Sequence, residues 1–123
     1  MKYVIALVAA LALAGTAIAQ HGHGNKGPNG GPLEDVAGVH AELIASGNTI
    51  TLNIFDESNK PAATKGFTAS ALIVRGSARE TLNLAPSGEN ALKGEAKMPV
   101  AGATISVTLR TAAGKSGQAR FKP

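Results

Sequence analysis

The chain contains no cysteine and no tryptophan, and its single tyrosine, Tyr3, sits at the extreme amino terminus. Zinc fingers, iron–sulfur proteins, thiol oxidoreductases and disulfide-stapled mini-proteins all require cysteine and are excluded. The other aromatics are Phe55, Phe67 and Phe121, too few for a platform that stacks single-stranded nucleic acid. Charge is sparse as well, with 12 basic and 8 acidic residues in 123. The lysines and arginines are scattered singly, without the stripe that marks a nucleic-acid surface. No Ser, His and acid follow a hydrolase pattern, and the glycines do not sit between a strand and a helix as a phosphate loop requires. The expectation is a protein that is not an enzyme and does not bind nucleic acid.

What is present begins with an address. Met1-Lys2 is a short positive start, Val4–Ala14 is an apolar run, and Ala17-Ile18-Ala19 is a small-x-small site after the Gly15-Thr16 break. These are the three parts of a secretory signal in order. The run is shorter than the roughly 20 apolar residues a membrane span needs, so no membrane insertion is expected after processing. Residues 1–19 read as a signal peptide cleaved after Ala19, leaving 104 residues with 11 basic against 8 acidic groups. The mature protein is expected in the periplasm or secreted. Without cysteine in an oxidising compartment, its core alone must hold it together.

Residues 20–32 read as a flexible lead rich in Gly and His, with nothing apolar to bury. Residues 33–123 read as one domain of short alternating runs separated by Gly, Pro, Asn and Ser. Val39–Ile44 and Thr49–Phe55 flank Ser46-Gly47-Asn48 and predict a hairpin. Further strands are expected over Gly66–Val74, Arg79–Leu84, Ala91–Lys97 and Thr104–Arg110, with a last one ending at Phe121. Seven short antiparallel strands without helical periodicity predict an all-β, seven-stranded, immunoglobulin-like β-sandwich, with a small open barrel as the competing architecture. The expected core is aliphatic: Leu43, Ile50, Leu52 and Ile54 from the hairpin, Leu72, Val74, Leu82, Leu84 and Leu92 from the middle, and Ile105, Val107, Leu109 and Phe121 from the end.

Four side chains offer chemistry. His40 and Glu42 lie two apart on one predicted strand and so project from one face, about 6.8 Å apart. Because Val39, Ala41 and Leu43 take the apolar side, this face is expected to point outward, supplying one imidazole and one carboxylate to a metal. Further ligands would come from His21 and His23. Cleavage after Ala19 would also create Gln20-His21-Gly22-His23, whose amine, amide nitrogen and imidazole form a planar chelate suited to Cu(II) or Ni(II); cyclisation of Gln20 would remove it. The alternatives are an ordinary exposed His beside an exposed acid, and a spacer that contains two histidines. Glu34-Asp35 and Asp56-Glu57 read as loop charges.

Gly27-Pro28-Asn29-Gly30-Gly31-Pro32, Val39-His40-Ala41-Glu42-Leu43 and Ile50–Asp56 with Asn59-Lys60-Pro61 resemble a small periplasmic β-domain. That domain accompanies the heavy-metal efflux adaptor proteins of bacterial resistance-nodulation-division pumps and also occurs alone in exported proteins. Leu82-x-Leu84-x-Pro86 and Ala119-x-Phe121 extend the resemblance over nearly the whole mature chain. It implies a β-sandwich that handles copper, zinc, nickel or cobalt outside the inner membrane, with a metal-efflux or other envelope protein as partner. By position His40 and Glu42 match the family's His-x-Glu element. Asn29 stands where the pattern has His, which removes one implied ligand. The helical hairpin and lipoyl-like parts of a whole adaptor are missing. Two functions are therefore carried forward: a binder of a divalent transition metal serving efflux or buffering, and a metal-free interaction or structural module that pairs through a sheet edge.

Overall fold

The computed structural model describes residues 25–122. The expected signal peptide, 1–19, and the histidines His21 and His23 lie outside the described residues. Alternation of apolar and polar residues dictates strands throughout, and no helix occurs among the described residues. The strands are β1 (Leu33–Val36), β2 (Val39–Ser46), β3 (Thr49–Phe55), β4 (Thr68–Arg75), β5 (Ala78–Ser87), β6 (Ala91–Glu95), β7 (Thr104–Arg110) and β8 (Ser116–Phe121).

All pairings are antiparallel and run in the order β1-β2-β3-β6-β5-β4-β7-β8. The expected seven strands are therefore eight. The missed one, β1, carries Glu34 and Asp35 in four residues, and without an apolar alternation it reads as loop. The sheet is nearly closed and barrel-like because β5 changes partner midway. Its first part, Ala78–Leu84, pairs with β4, and Ala85–Ser87 pairs with β6. The strands at the two ends of the order, β1 and β8, lie against each other at a seam. A Cβ added at Gly117 would lie 2.9 Å from the backbone nitrogen of Ala37, so a side chain there would wedge the seam apart.

The core is aliphatic, as expected. Ile50, Leu52, Ile54, Leu92, Val107 and Leu109 are fully buried, and Phe121 closes one end. Strand β4 differs from the expectation. Ala69, Ala71 and Ile73 face inward, whereas Leu72 and Val74 face outward and are half-buried. A shift of one residue exchanges the faces of a strand, and the neighbours decide which phase wins. Ala69 lies between Leu84 and Leu109, and Ala71 between Leu82 and Val107. Interiors are close-packed, so small side chains are needed between those large ones.

The phase of β4 is open to measurement by urea unfolding. Ile73→Ala should cost about 2–5 kcal/mol as a cavity mutation. Ala71→Leu should cost about 1–3 kcal/mol by overpacking. Leu72→Thr should stay below about 1 kcal/mol, as for a surface change.

Candidate functional site

The outer face of β1, β2 and β3 carries the residues singled out by the sequence. Register places Leu33 opposite Glu42 and Asp35 opposite His40 on one side, and His40 opposite Phe55 on the other. Phe55 is buried yet stands apart from the core cluster.

Glu42 does not face solvent. It is completely buried, under a turn formed by residues 25–32. Its Oε2 accepts the backbone N–H of Asn29 at 2.8 Å and of Gly31 at 2.9 Å, and its Oε1 accepts the Asn29 side-chain amide at 2.9 Å. A buried carboxylate is tolerable only when its oxygens are hydrogen-bonded, and backbone donors to an ionised acceptor are among the stronger such bonds. The turn closes on itself through Gly27 N–H to Gly31 O at 2.8 Å and Gly30 N–H to Gly27 O at 3.0 Å. Its entry is tied to β1 by Leu33 N–H to Asn25 O at 3.1 Å, and its exit to β2 by Leu43 N–H to Pro32 O at 3.0 Å. A Cβ at Gly27 would overlap the Glu42 side chain, and one at Gly31 would overlap the carbonyl oxygen of Leu43. The glycines are there for close approach.

Two expectations change accordingly. The lead read as flexible over residues 20–32 is an ordered turn from Asn25 onward, held by polar bonds rather than apolar burial. The outward carboxylate expected at Glu42 is instead enclosed, and its lone pairs are taken by the turn.

His40 is set differently. Its Nδ1 contacts Oδ1 of Asp35, with the imidazole 22% exposed and the carboxylate 83%. A proton on Nδ1 shared with Asp35 leaves Nε2 as the acceptor of the ring. Asp35, expected in a loop, belongs to β1 and points beside His40. Only the strand pairing reveals this partnership, since the two are five residues apart in sequence. Asp56 follows Phe55 and starts the next loop. Its Oδ1 accepts the N–H of Ser58 at 2.8 Å and of Lys60 at 3.0 Å. The Lys60 N–H is the main cause that holds the Asp56 carboxyl below its ordinary value. Partial burial opposes it, while the Ser58 N–H and the charges of Lys60 and His40 add to it.

Among the described residues no three His, Asp or Glu side chains converge to hold a metal ion. The structure thus brings His40 together with Asp35 and commits Glu42 to the turn, while His21 and His23 lie outside the described residues. An open groove of about 600 Å³ lies elsewhere, between the loop after β3 and the β5–β6 turn, lined in part by Pro61, Ala62, Lys65, Pro86 and Glu89. Comparison with protein-family models, curated proteins and solved structures gives no match to the chain.

Removing the Glu42 carboxylate strands the buried Gly31 N–H, while the two donors of the exposed Asn29 lose their partner to water. Glu42→Ala should therefore cost about 1–3 kcal/mol, and Glu42→Gln less because one oxygen remains; equilibrium unfolding reads both. For Asp56 the folded value is lowered, so its contribution is full above the ordinary carboxylate value of about 3.9 and fades as pH falls through the lower folded value. NMR titration of the Asp56 side chain should give a midpoint below the ordinary aspartate value of about 3.9.

Proposed function

We propose that the protein is a non-enzymatic, exported binder of a divalent transition metal, with copper, zinc, nickel or cobalt as its cargo, serving efflux or buffering in the periplasm. The single observation that carries this reading is the Asp35–His40 pair. A metal-ligating histidine characteristically gives its other ring N–H to a carboxylate, which fixes the tautomer and raises ligand basicity. His40 has that partner, and Nε2 is the atom left for a metal.

The remaining ligands in this reading are His21 and His23. Asn25 is fastened beside Leu33, two positions from Asp35 on β1. Glu42 is the fastener of the lead here, not a ligand. Export rests on the signal-like pattern of residues 1–19, and the metal on the resemblance to the efflux-associated β-domain.

Calorimetric titration of the protein lacking residues 1–19 with Cu(II) and Zn(II) tests the proposal. His40→Ala and a His21→Ala/His23→Ala double variant should each weaken binding. Asp35→Asn, which keeps the shape and removes the charge, should weaken it about 10- to 100-fold. His21→Ala should matter more for Cu(II) than for Zn(II), since only the terminal planar chelate favours copper-like geometry. Equal, millimolar binding by the unaltered protein and His40→Ala would discard the metal reading and leave a metal-free module that pairs with another envelope protein.

A further inference from the structure

The other half of the sheet, far from His40 in strand order, has an outer face of a different kind. In β4 the inward phase is taken by Ala69, Ala71 and Ile73, so register fixes what lies outside. Thr81, Leu72, Ser106 and Arg120 form one row across β5, β4, β7 and β8. The next row, Asn83, Ser70, Thr108 and Gln118, consists wholly of hydroxyls and amides. Arg79 flanks the first row beside Val74, and Arg110 flanks the second beside Thr68. Neighbouring strands are about 4.8 Å apart and same-face residues about 6.8 Å apart, which makes a patch of roughly 14 by 20 Å at the Cα level.

No carboxylate lies on this face. Seven of the eight acids belong to β1, β2, β6, the loop after β3 and the β5–β6 turn. The eighth, Glu80, takes the opposite phase of β5 opposite Ile73 and accepts the Lys97 N–H at 2.9 Å. Arg79, Arg110 and Arg120 are exposed, and among the described residues none of them is in an ion pair. Exposed arginines without partners, set among hydroxyls and amides on a flat sheet, match a ligand that offers both anionic groups and many hydroxyls. Guanidinium groups take sulfate, phosphate or carboxylate oxygens in a two-pronged fashion. Ser, Thr, Asn and Gln both donate and accept toward sugar hydroxyls.

We propose that the β5-β4-β7-β8 face binds an anionic polysaccharide, through Arg79, Arg110 and Arg120 at its margins and the hydroxyl and amide rows between them. A second copy of the chain is a poorer occupant, because four of its eight acids are engaged locally and the other four, Glu34, Glu57, Glu89 and Glu95, are dispersed singly over separate elements. Glu42 is enclosed by the turn, Asp35 contacts His40, Asp56 holds its own loop, and Glu80 holds Lys97 N–H. A bilayer does not fit either, since Leu72 and Val74 are half-buried and no bulky apolar side chain projects. The inference is independent of metal binding.

The test is affinity measurement of the purified protein with dextran sulfate and with uncharged dextran, which share a backbone and differ in charge. Dextran sulfate should bind, more weakly as salt rises, and dextran should not bind measurably. Arg79→Gln/Arg120→Gln should weaken dextran sulfate binding about tenfold or more. Lys60→Gln/Lys65→Gln, an equal loss of charge elsewhere, should change it less than about twofold. Thr81→Val/Thr108→Val keeps the charge and suits a strand, and should cost at least about threefold. Equal losses in the arginine and lysine pairs would reduce the effect to net charge and overturn the proposal. Poly-L-glutamate bound as tightly as dextran sulfate would overturn it in favour of an acidic protein surface. Retained circular dichroism spectra of the variants ensure that lost affinity is not lost fold.

Discussion

A single carboxylate, Glu42, fastens residues 25–32 to the sheet. Those residues have no apolar side chain beyond two prolines, so the hydrophobic effect cannot order them. Three N–H donors converging on a buried anion can. The arrangement is mutual: without the turn, Glu42 would be a charge on the outer face of β2 in contact with water, and without Glu42 the turn would have no partner for Asn29 and Gly31. Gly27 and Gly31 belong to the same constraint, because the backbone must come close enough for its N–H groups to reach the oxygens. The effect extends beyond the turn. Asn25 is bonded to Leu33 and Pro32 to Leu43, so the placement of β1, and with it Asp35 against His40, follows from the same contact.

The sheet therefore has two halves held by different physics. Around β4, β7 and β5, large aliphatic side chains interlock over small ones, and the outer face is left free of acids. Around β1 and β2, polar bonds add a second layer outside the barrel: the turn on Glu42, the Asp35–His40 contact, and the Asp56 loop that folds back to place Pro61 in a bridge with Phe55. Asp35, Glu42 and Asp56 are each used there by donors close at hand. That segregation explains how a chain with few charges can still present a purely cationic, hydroxyl-rich surface on its other side.

Much of the fold was legible because strand alternation is a local property. The β2–β3 hairpin and the later runs around Leu84, Leu92 and Leu109 are visible in the residues themselves. What escaped depended on neighbours that are distant in sequence. Leu72-Ile73-Val74 is apolar in both phases, and only the leucines flanking Ala69 and Ala71 across the strands choose between them. Strand β1 has no pattern of its own and exists because β2 pairs with it on one side, while Asn25 bonds its first residue, Leu33, and Lys26 bridges the preceding Pro32. The site was half legible. His40 and Glu42 were found as a pair on one face, but their partners were not, since the spacing of 13 residues from Asn29 to Glu42 carries no periodic signal. Gly27 and Gly31 were read as freedom when they are room for close approach.

Asn29 brings these strands of argument together. In the pattern that the chain resembles, this position carries histidine, which would set an imidazole beside the Glu42 carboxylate, a pair able to act on a metal. Here the side-chain amide donates to Oε1 while the backbone of the same residue donates to Oε2. An amide donor stays neutral and holds a carboxylate without competing for a cation. With both oxygens of Glu42 occupied, any cation would have to break the fastening of the turn to reach them. In the proposed reading the Nε2 of His40, two residues along β2 and backed by Asp35, is reached without that cost. Asn29 thus makes the Glu42 carboxylate a structural clasp, and the metal binding proposed for this face falls to the Asp35–His40 pair.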